Sequence, residues 1–378
     1  MHVESQDDLE KKIIRTENGT PIHWLPKDVN NHLDKTTLIF GGSGSGKTTM
    51  IEEVLYLLKD HISNFLVIAP YTSMKAYRDK LPARCIKEDL TKKKLQKIWD
   101  RQYHVTQIYN TANDINILEA LFKKAPDRQS HVMIEAIKKK ASEILNKIEE
   151  NTGLNFAKKR AQRLSVNELQ TKRIKATYRN AIRNNKTILD RMALAPREKI
   201  ALEYLDIDPR FCLVLDDCSD KFASWMKYFK KGEINPFESI FYRGRWNFIT
   251  LIFAAHDDKL VATELRKNAR VTMYGNSQAL VSSINKQGNG FNTKEKKLAM
   301  LYAERVFCDE NSEEKLYQKL CYLREESPPF RYTVSNLYPE FQLGGTALWN
   351  IASKMPKKED VLSSNPFTKD IYIKDKFE

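Results

Sequence analysis

The residues of this sequence that could do chemistry begin with a glycine-rich loop near residue 41. The loop fits the pattern G-x4-G-K-[ST], in which glycines let the backbone turn tightly and point N–H groups at phosphate oxygens. The lysine adds positive charge at the β- and γ-phosphates, and the final hydroxyl can bind Mg²⁺. A flexible Gly/Ser turn is the alternative. We predict a nucleoside triphosphate site formed by Gly41, Gly42, Ser43, Gly44, Ser45, Gly46, Lys47, Thr48 and Thr49.

Two acidic residues, Asp216 and Asp217, follow the apolar run Leu213-Val214-Leu215. A strand that ends in a carboxylate beside a phosphate loop can hold hydrated Mg²⁺, the role predicted for Asp216 together with Thr48. Asp217 is then the residue that orients or deprotonates the attacking water. Paired carboxylates at a strand end are also common in turns and helix caps. The phosphate loop favours the catalytic interpretation.

A histidine and several arginines complete the candidate set. His256 ends the apolar run FITLIFAA and is predicted to emerge where open α/β sheets bind ligands. It could contact the γ-phosphate or the attacking water, or cap the next helix. Arg243 and Arg245 flank a glycine, and either could reach the γ-phosphate of a neighbouring subunit and stabilise developing charge. Surface charge and DNA contact remain alternatives for both arginines, and for Arg266 and Arg270.

These side chains require elements that bring them together. TTLIF from Thr36 reads as a buried strand, the stretch after the loop has apolar residues at helical spacing, and NFLVIAP reads as a second strand. This β–loop–α–β order implies a parallel sheet. We predict an α/β fold of the P-loop NTPase class, with a mostly parallel central sheet flanked by helices and a basic all-helical insertion.

The predicted organisation has five parts. The parts are an N-terminal extension (1–33), the P-loop half of the core (34–88), the insertion (89–205), the second half of the core (206–280), and a C-terminal region with a loosely held tail (281–378).

The insertion differs from the rest of the chain in composition. Its only glycine is Gly153, and its residues 156–200 carry thirteen Lys/Arg against three acidic residues. Residues 104–109 (HVTQIY) read as a possible strand near its start. The insertion could track a phosphate backbone with Tyr178 as an interleaved aromatic, dock onto a partner, or be solvated.

Composition sets limits on the class of protein. The 378 residues carry a formal net charge of +14, which suits a polyanionic partner such as nucleic acid. The five cysteines are dispersed, which argues for a reducing compartment and against a zinc site or disulfide framework. No signal peptide or membrane-length apolar run is visible, so we expect a soluble intracellular protein.

The motifs in sequence order resemble a known family. The loop GGSGSGKT, the segment from Pro70 to Tyr77, the Asp216-Asp217 pair with Asp220 and Lys221, and the RGRWNFITLIFAAH stretch resemble the poxvirus-type genome-packaging ATPases of nucleocytoplasmic large DNA viruses, within the FtsK–HerA superfamily. The resemblance covers roughly residues 34–82 and 211–276. This chain departs at Trp246, where the family usually has His, and at His256, where it usually has Gln.

The resemblance implies ATP hydrolysis, with ATP and Mg²⁺ as cofactors, coupled to moving double-stranded DNA into a preformed capsid. It also implies a homo-oligomeric ring, a capsid or portal component as partner, and a location in the host cytoplasm, the viral factory or the virion. Two other classes compete with it. A helicase-like P-loop ATPase would need further motifs that the chain does not display, and a nucleotide-binding switch would want N-K-x-D, which Asn285-Lys286-Gln287-Gly288 lacks.

Overall fold

The structure is a computed structural model that describes residues 12–230, 232–308, 315 and 317–354. Two compact units divide the chain: one comprises Met1–Gln102 and Arg210–Glu378, and the other is Tyr103–Pro209. The predicted tail, residues 355–378, lies outside the described residues, as do residues 1–11 of the predicted N-terminal extension. Among the helices that are described, none combines the length and apolar character needed to cross a bilayer.

The first unit is built on an eight-stranded sheet. Its strand order is β10-β9-β8-β3-β7-β6-β4-β5, and the six strands from β8 to β5 in this order are parallel. At one edge of the sheet, β9 pairs antiparallel with both β8 and β10. A separate two-stranded sheet joins β1 and β2. The predicted mixed α/β fold with a mostly parallel central sheet is confirmed. The strands are Ile14–Arg15 (β1), Pro21–Ile22 (β2), Thr36–Phe40 (β3), Asn64–Ile68 (β4), Ile86–Lys87 (β5), Phe211–Asp216 (β6), Ile249–Ala255 (β7), Val271–Tyr274 (β8), Gln318–Leu323 (β9) and Phe330–Val334 (β10).

Both faces of the sheet are covered, which explains the continuous apolar runs in the sequence. Successive side chains of a strand point to opposite faces. Leu38 and Phe40 therefore lie in one core, and Ile39 lies in the other. The helix that follows the glycine loop covers this second face through residues such as Met50 and Val54. A parallel sheet buried on both faces is the arrangement expected for strands joined by helical crossovers.

The helices of the first unit surround the sheet, and those of the second unit form their own core. In the second unit, Leu118 and Leu121 pack with Ala181 and Leu202. The helix from Lys92 to Ala112 belongs partly to each unit. The helices are Lys47–Leu58 (α1), Tyr71–Met74 (α2), Lys92–Ala112 (α3), Ile115–Lys124 (α4), Arg128–Glu150 (α5), Phe156–Asn184 (α6), Lys186–Leu189 (α7), Pro196–Glu203 (α8), Ser219–Met226 (α9), Pro236–Arg243 (α10), Thr263–Arg266 (α11), Ser277–Asn285 (α12), Thr293–Phe307 (α13) and Thr346–Lys354 (α14).

Two local expectations are wrong. Residues 104–109 are helical and continue α3, because its buried residues Leu95, Trp99, Gln102 and Thr106 recur at three- and four-residue spacing. Tyr178 is not an exposed aromatic between basic residues. It is 6 % exposed, and its ring centroid lies 5.2 Å from that of Phe122.

Candidate functional site

The candidate site lies at the carboxyl edge of the parallel strands. Phe40 at the end of β3 is in register with Ala255 of β7 and with Tyr274 of β8. Asp216 at the end of β6 is in register with Ala254 of β7. Because parallel strands end at one edge, the glycine loop after β3, the acidic pair after β6 and the histidine after β7 meet there.

The glycine loop has the geometry that its sequence predicts. Gly44 and Gly46 have φ of 77° and 78°, a region that side-chain-bearing residues rarely adopt. Gly41 is glycine for a different reason, since a Cβ there would lie 2.2 Å from Ser45 Oγ. Ser43 and Gly44 are exposed, whereas Ser45 and Thr48 are half-buried. The loop enters α1 without a side-chain cap at Gly46, so the first N–H groups of the helix point toward the loop.

Lys47 is held inside the loop. Its ammonium donates to Gly41 O at 2.9 Å and to Gly42 O at 3.0 Å. Burial lowers the pKa of Lys47, while the charges of Asp217 and Asp216 raise it. The two carboxylates therefore help to keep this lysine protonated at the point where triphosphate charge is expected.

Asp216 is the buried carboxylate of the site. It is 1 % exposed, and burial raises its pKa. The Tyr77 hydroxyl donates to Asp216 Oδ2 at 2.7 Å, and this bond acts in the opposite direction, favouring the ionised carboxylate. Tyr77 is itself fully buried. The sequence motif included Tyr77, but its role as the partner of Asp216 was not predicted.

Asp217, His256 and Lys47 form a connected group. His256 Nε2 lies 2.8 Å from Asp217 Oδ1, and His256 Nδ1 lies 3.3 Å from the ammonium of Lys47. One neutral tautomer satisfies both contacts, with Nε2–H donating to the carboxylate and Nδ1 accepting from the lysine. Asp217 has φ of 52°, a strained conformation for a residue other than glycine.

Hard oxygen ligands for Mg²⁺ are present beside the loop. Mg²⁺ is usually held by one or two carboxylates together with waters and substrate phosphates. Thr48, at the start of α1, supplies a hydroxyl, and Asp216 supplies a carboxylate of which Tyr77 binds only Oδ2. Within the described residues there is no cluster of three or more His, Cys, Asp or Glu side chains arranged for a metal. This donor set fits a phosphate-bound Mg²⁺.

Two supports of the loop lie far away in sequence and were not predicted. Lys319 of β9 is 1 % exposed, and its ammonium donates to Ser45 O at 2.6 Å. Gly275 follows β8, and a Cβ there would lie 2.9 Å from Ser45 Oγ and 3.1 Å from Ser45 O. The strand-end position of Gly275 was a signal available in the sequence. Lys319 gave no such signal, because β9 was not predicted.

The structure does not bring Arg243 and Arg245 to the site. Both are exposed. Arg243 is the last residue of α10 and Arg245 lies in the turn before β7, at the opposite edge of the sheet from the glycine loop. Arg266 donates to Val261 O at 2.8 Å, and Arg270 donates to Glu326 Oε1 at 2.7 Å. The side chain of Asp220 lies outside the described residues. Lys221 donates to Glu88 O at 2.9 Å.

Comparison with solved structures gives only remote likenesses. The genome-packaging NTPase B204 of Sulfolobus turreted icosahedral virus 2, in complex with ATP-γS, is 12 % identical, with 80 % of this chain and 98 % of that chain covered and a TM-score of 0.31. The cytoplasmic domain of the Type VII secretion ATPase EccC of Thermomonospora curvata is 11 % identical, with a TM-score of 0.35. That match covers 92 % of this chain but 32 % of the other, so this chain spans about a third of its length.

Comparison of sequences gives stronger matches. African swine fever virus proteins named "Uncharacterized protein B354L" are 28 % identical over 371 residues, covering 94 % of this chain and 97 % of theirs. The profile of the UvrD/REP helicase N-terminal domain matches residues 26–234, a segment that contains the glycine loop and the acidic pair. Since this segment makes up more than half of the 378 residues, the chain belongs to the family of the UvrD/REP helicase N-terminal domain.

Proposed function

We propose that this protein is an ATP-hydrolysing motor that acts on nucleic acid. The observation that carries the proposal is the group formed by Lys47, His256 and Asp217, with contacts of 3.3 Å and 2.8 Å, beside the buried carboxylate of Asp216. A nucleotide-binding switch without turnover needs a phosphate loop but has no need of a carboxylate held by a histidine. The family of the chain agrees with a helicase-like use of ATP.

The proposed chemistry assigns each residue one task. The loop N–H groups bind the phosphates, and Lys47 adds charge at the β- and γ-phosphates. Thr48 and Asp216 would hold Mg²⁺, which would supply positive charge at the phosphate oxygens. Tyr77 keeps Asp216 ionised. Asp217 accepts the hydrogen bond or the proton of the attacking water, and His256 holds the Asp217 carboxylate in place.

The arginines enter only through a second subunit. Arg243 and Arg245 lie at the edge of the sheet opposite the glycine loop, so neither serves the site of its own chain. In a ring, that edge of one subunit can face the nucleotide of the next, and an arginine there stabilises the transferring phosphoryl group. A homo-oligomeric ring is therefore part of the proposal.

The finer proposal is packaging of double-stranded DNA into a preformed capsid, in which a capsid or portal component is a partner. The motif order of the sequence supports it. The basic insertion supports DNA contact, because Lys158, Arg160, Lys172 and Arg173 on α6 are exposed. Some cations of that unit are paired, as Arg183 is with Asp206 at 2.6 Å. Exposed cations on one helix can contact phosphates.

A second candidate is a helicase-like motor that moves along one strand. The match to the UvrD/REP helicase N-terminal domain favours it. The chain displays no further helicase motifs, which disfavours a helicase. The family match outweighs the missing motifs, since a match over residues 26–234 depends on many positions at once.

The decisive experiment measures ATP turnover without nucleic acid, with long double-stranded DNA and with single-stranded DNA. Lys47→Ala should abolish turnover in all three conditions. Lys59→Ala is the matched control, since Lys59 follows the same helix and pairs with Asp60 at its far end. Stimulation by duplex supports packaging, and stimulation by single strands supports the helicase-like motor. If neither double-stranded nor single-stranded DNA changes the turnover, a motor that acts on nucleic acid is contradicted. If turnover survives Lys47→Ala, the proposed site is refuted.

The ring has its own test. Sizing by light scattering with a non-hydrolysable ATP analogue should show a homo-oligomer. Mixing Lys47→Ala protein with Arg243→Ala,Arg245→Ala protein should restore part of the turnover, because some interfaces then combine an intact loop with intact arginines. A strict monomer under these conditions would remove the role of both arginines.

A further inference from the structure

A basic cavity lies at the amino edge of the sheet, opposite the ATP site. It has a volume of about 470 Å³. Lys35 and Thr36 at the start of β3 form one wall, the segment before β8 forms another, and the turn between β9 and β10 closes it near Arg324. The end of α10 with its following turn forms the remaining wall. All these residues belong to the first unit. The volume is within the range of small-ligand sites.

The charge of this cavity is strongly unbalanced. Five cationic side chains line it against the single carboxylate of Glu325: Lys35, Arg245, Lys267, Arg270 and Arg324. Burial lowers the pKa of Lys35, and the charges of Arg270 and Arg245 lower it further. Neighbouring cations destabilise one another's charged form, and an anion bound between them offsets this repulsion.

Part of this charge is fixed in position by acidic residues behind it. Arg270 donates to Glu326 Oε1 at 2.7 Å, and Arg331 donates to Glu326 Oε2 at 3.1 Å. Glu326 thus holds the Arg270 guanidinium in place, and Glu325 Oε2 lies 3.5 Å from the same guanidinium.

Two other cations of the cavity are more available to a phosphate. Lys267 pairs with Glu264 at 3.3 Å, but both side chains are exposed, and such a surface pair is weak enough for a phosphate to displace. Arg324 also lines the cavity, and the donors of a guanidinium form a rigid fork that suits phosphate.

Aromatic rings stand at the rim of the same cavity. Trp246 is 70 % exposed and Tyr242, one helical turn earlier, is 48 % exposed. The guanidinium of Arg245 lies 5.3 Å from the centroid of the Trp246 ring. In contrast, Trp24, Trp99 and Trp225 are each at most 9 % exposed. An exposed tryptophan beside a group of cations is the arrangement on which an unpaired base stacks.

We propose that this cavity binds a short stretch of single-stranded nucleic acid, with phosphates on Arg324 and Lys267 and one base on Trp246. The proposal rests on the proposed action on nucleic acid and adds the strand form and the place of contact. Duplex DNA would use the charge but not the ring, because its base faces are stacked inside the helix. The exposed ring therefore favours a single strand.

The binding test uses fluorescence anisotropy of a labelled twelve-residue oligo(dT), without ATP and with the full chain. Trp246→Ala should weaken binding about tenfold or more, whereas Trp246→Phe should retain it within a few-fold. Oligo(dT) should also quench the tryptophan fluorescence of the unaltered protein, and Trp246→Phe should lose this quenching. If Trp246 were only structural, Trp246→Phe would not retain the affinity for oligo(dT) while it loses the quenching.

Salt dependence tests the phosphate contacts. Lys267→Ala should reduce the slope of log affinity against log salt by about 0.7, the change expected for one phosphate contact on a single strand. Lys297→Ala is the matched control, since Lys297 is an exposed lysine on α13 outside the cavity. Equal slopes for the two variants would overturn the proposal, as would unchanged affinity in Trp246→Ala. Preferential binding of a twelve-base-pair duplex that ignores Trp246→Ala would assign the cavity to duplex instead.

The two functional proposals fail separately. If Lys47→Ala lacks turnover and the unaltered protein hydrolyses ATP without any response to nucleic acid, the motor fails, whatever the oligonucleotide does. If turnover responds to DNA but Trp246→Ala binds oligo(dT) normally, only the cavity proposal fails. Arg245→Ala separates the roles of that arginine: loss of turnover in the absence of DNA indicates the trans role, and loss of oligo(dT) binding alone indicates the cavity.

Discussion

Replacing Tyr77 by phenylalanine tests how the buried carboxylate of the proposed ATP site is kept ionised. The Tyr77 hydroxyl donates to Asp216 Oδ2 at 2.7 Å, and the two side chains are 0 % and 1 % exposed. Tyr77→Phe keeps the ring and removes only the donor. A hydrogen bond to a charged group contributes about 1.5–3 kcal/mol, so we expect the free energy of unfolding to fall by about 2 kcal/mol at neutral pH.

The pH dependence of this loss follows from the pKa of Asp216. Burial raises that pKa and the Tyr77 bond lowers it, so Tyr77→Phe should raise it further. A carboxyl group with a raised folded-state pKa favours folding in acid, and this contribution is lost as pH rises through the folded-state value. The stability difference between Tyr77→Phe and the unaltered protein should therefore shrink toward acid pH. The acidic limb of the turnover profile should move to higher pH, and more Mg²⁺ should be needed.

Chemical denaturation at several pH values, with ATP turnover against pH and Mg²⁺, measures these effects. Tyr302→Phe is the matched control, because its hydroxyl donates to the neutral Pro21 O at the same 2.7 Å and Tyr302 is 2 % exposed. It should cost about 1 kcal/mol and leave the turnover profile unchanged. If Tyr77→Phe leaves the acidic limb and the Mg²⁺ requirement where they are, the reasoning about Asp216 is refuted.

Substitutions at three further positions test the supports of the glycine loop and the group formed by Lys47, His256 and Asp217. Gly275→Ala should weaken binding of an ATP analogue about tenfold by calorimetry, because its Cβ would lie 2.9 Å from Ser45 Oγ and overpacking costs about 1–3 kcal/mol; unchanged affinity would contradict the crowding. Lys319→Met should weaken the same binding, since it removes the 2.6 Å bond to Ser45 O, and normal affinity would show that the loop needs no such support. His256→Gln should retain more turnover than His256→Ala, because glutamine can still donate to Asp217; equal loss in both would exclude the positioning role.

The positions of much of the candidate site could be predicted because its parts are local or follow a general rule of sheets. Gly44 and Gly46 need positive φ, and the spacing of the loop already implied it. Asp216 and His256 end apolar runs, and the carboxyl ends of parallel strands meet. The same rule, applied to the residues that precede a strand, places Arg243 and Arg245 at the other edge. The distance of these arginines from the loop was therefore predictable, although it was not predicted.

The two wrong local predictions, for residues 104–109 and for Tyr178, have one origin. The β-branched residues of 104–109 suggested a strand, but the apolar and buried positions from Leu95 onward have helical spacing, and a continuous helix keeps them on one face. Tyr178 has basic residues around it in the sequence, which suggested an aromatic interleaved among them. On α6 it instead lies on the side that packs against Phe122. In both places the pattern over a long segment outweighed the composition of a short one.

The sequence by itself determined the phosphate loop, the acidic pair and the parallel order of the core strands, because each depends on residues close together in the chain. Only the tertiary structure decided what supports them. Tyr77 reaches Asp216 across 139 residues of sequence, and Lys319 reaches Ser45 across 274. The antiparallel strand β9 places Lys319 beneath the loop, and no local pattern encodes that pairing. Contacts between distant residues depend on which strands become neighbours, and the burial of the whole sheet decides this.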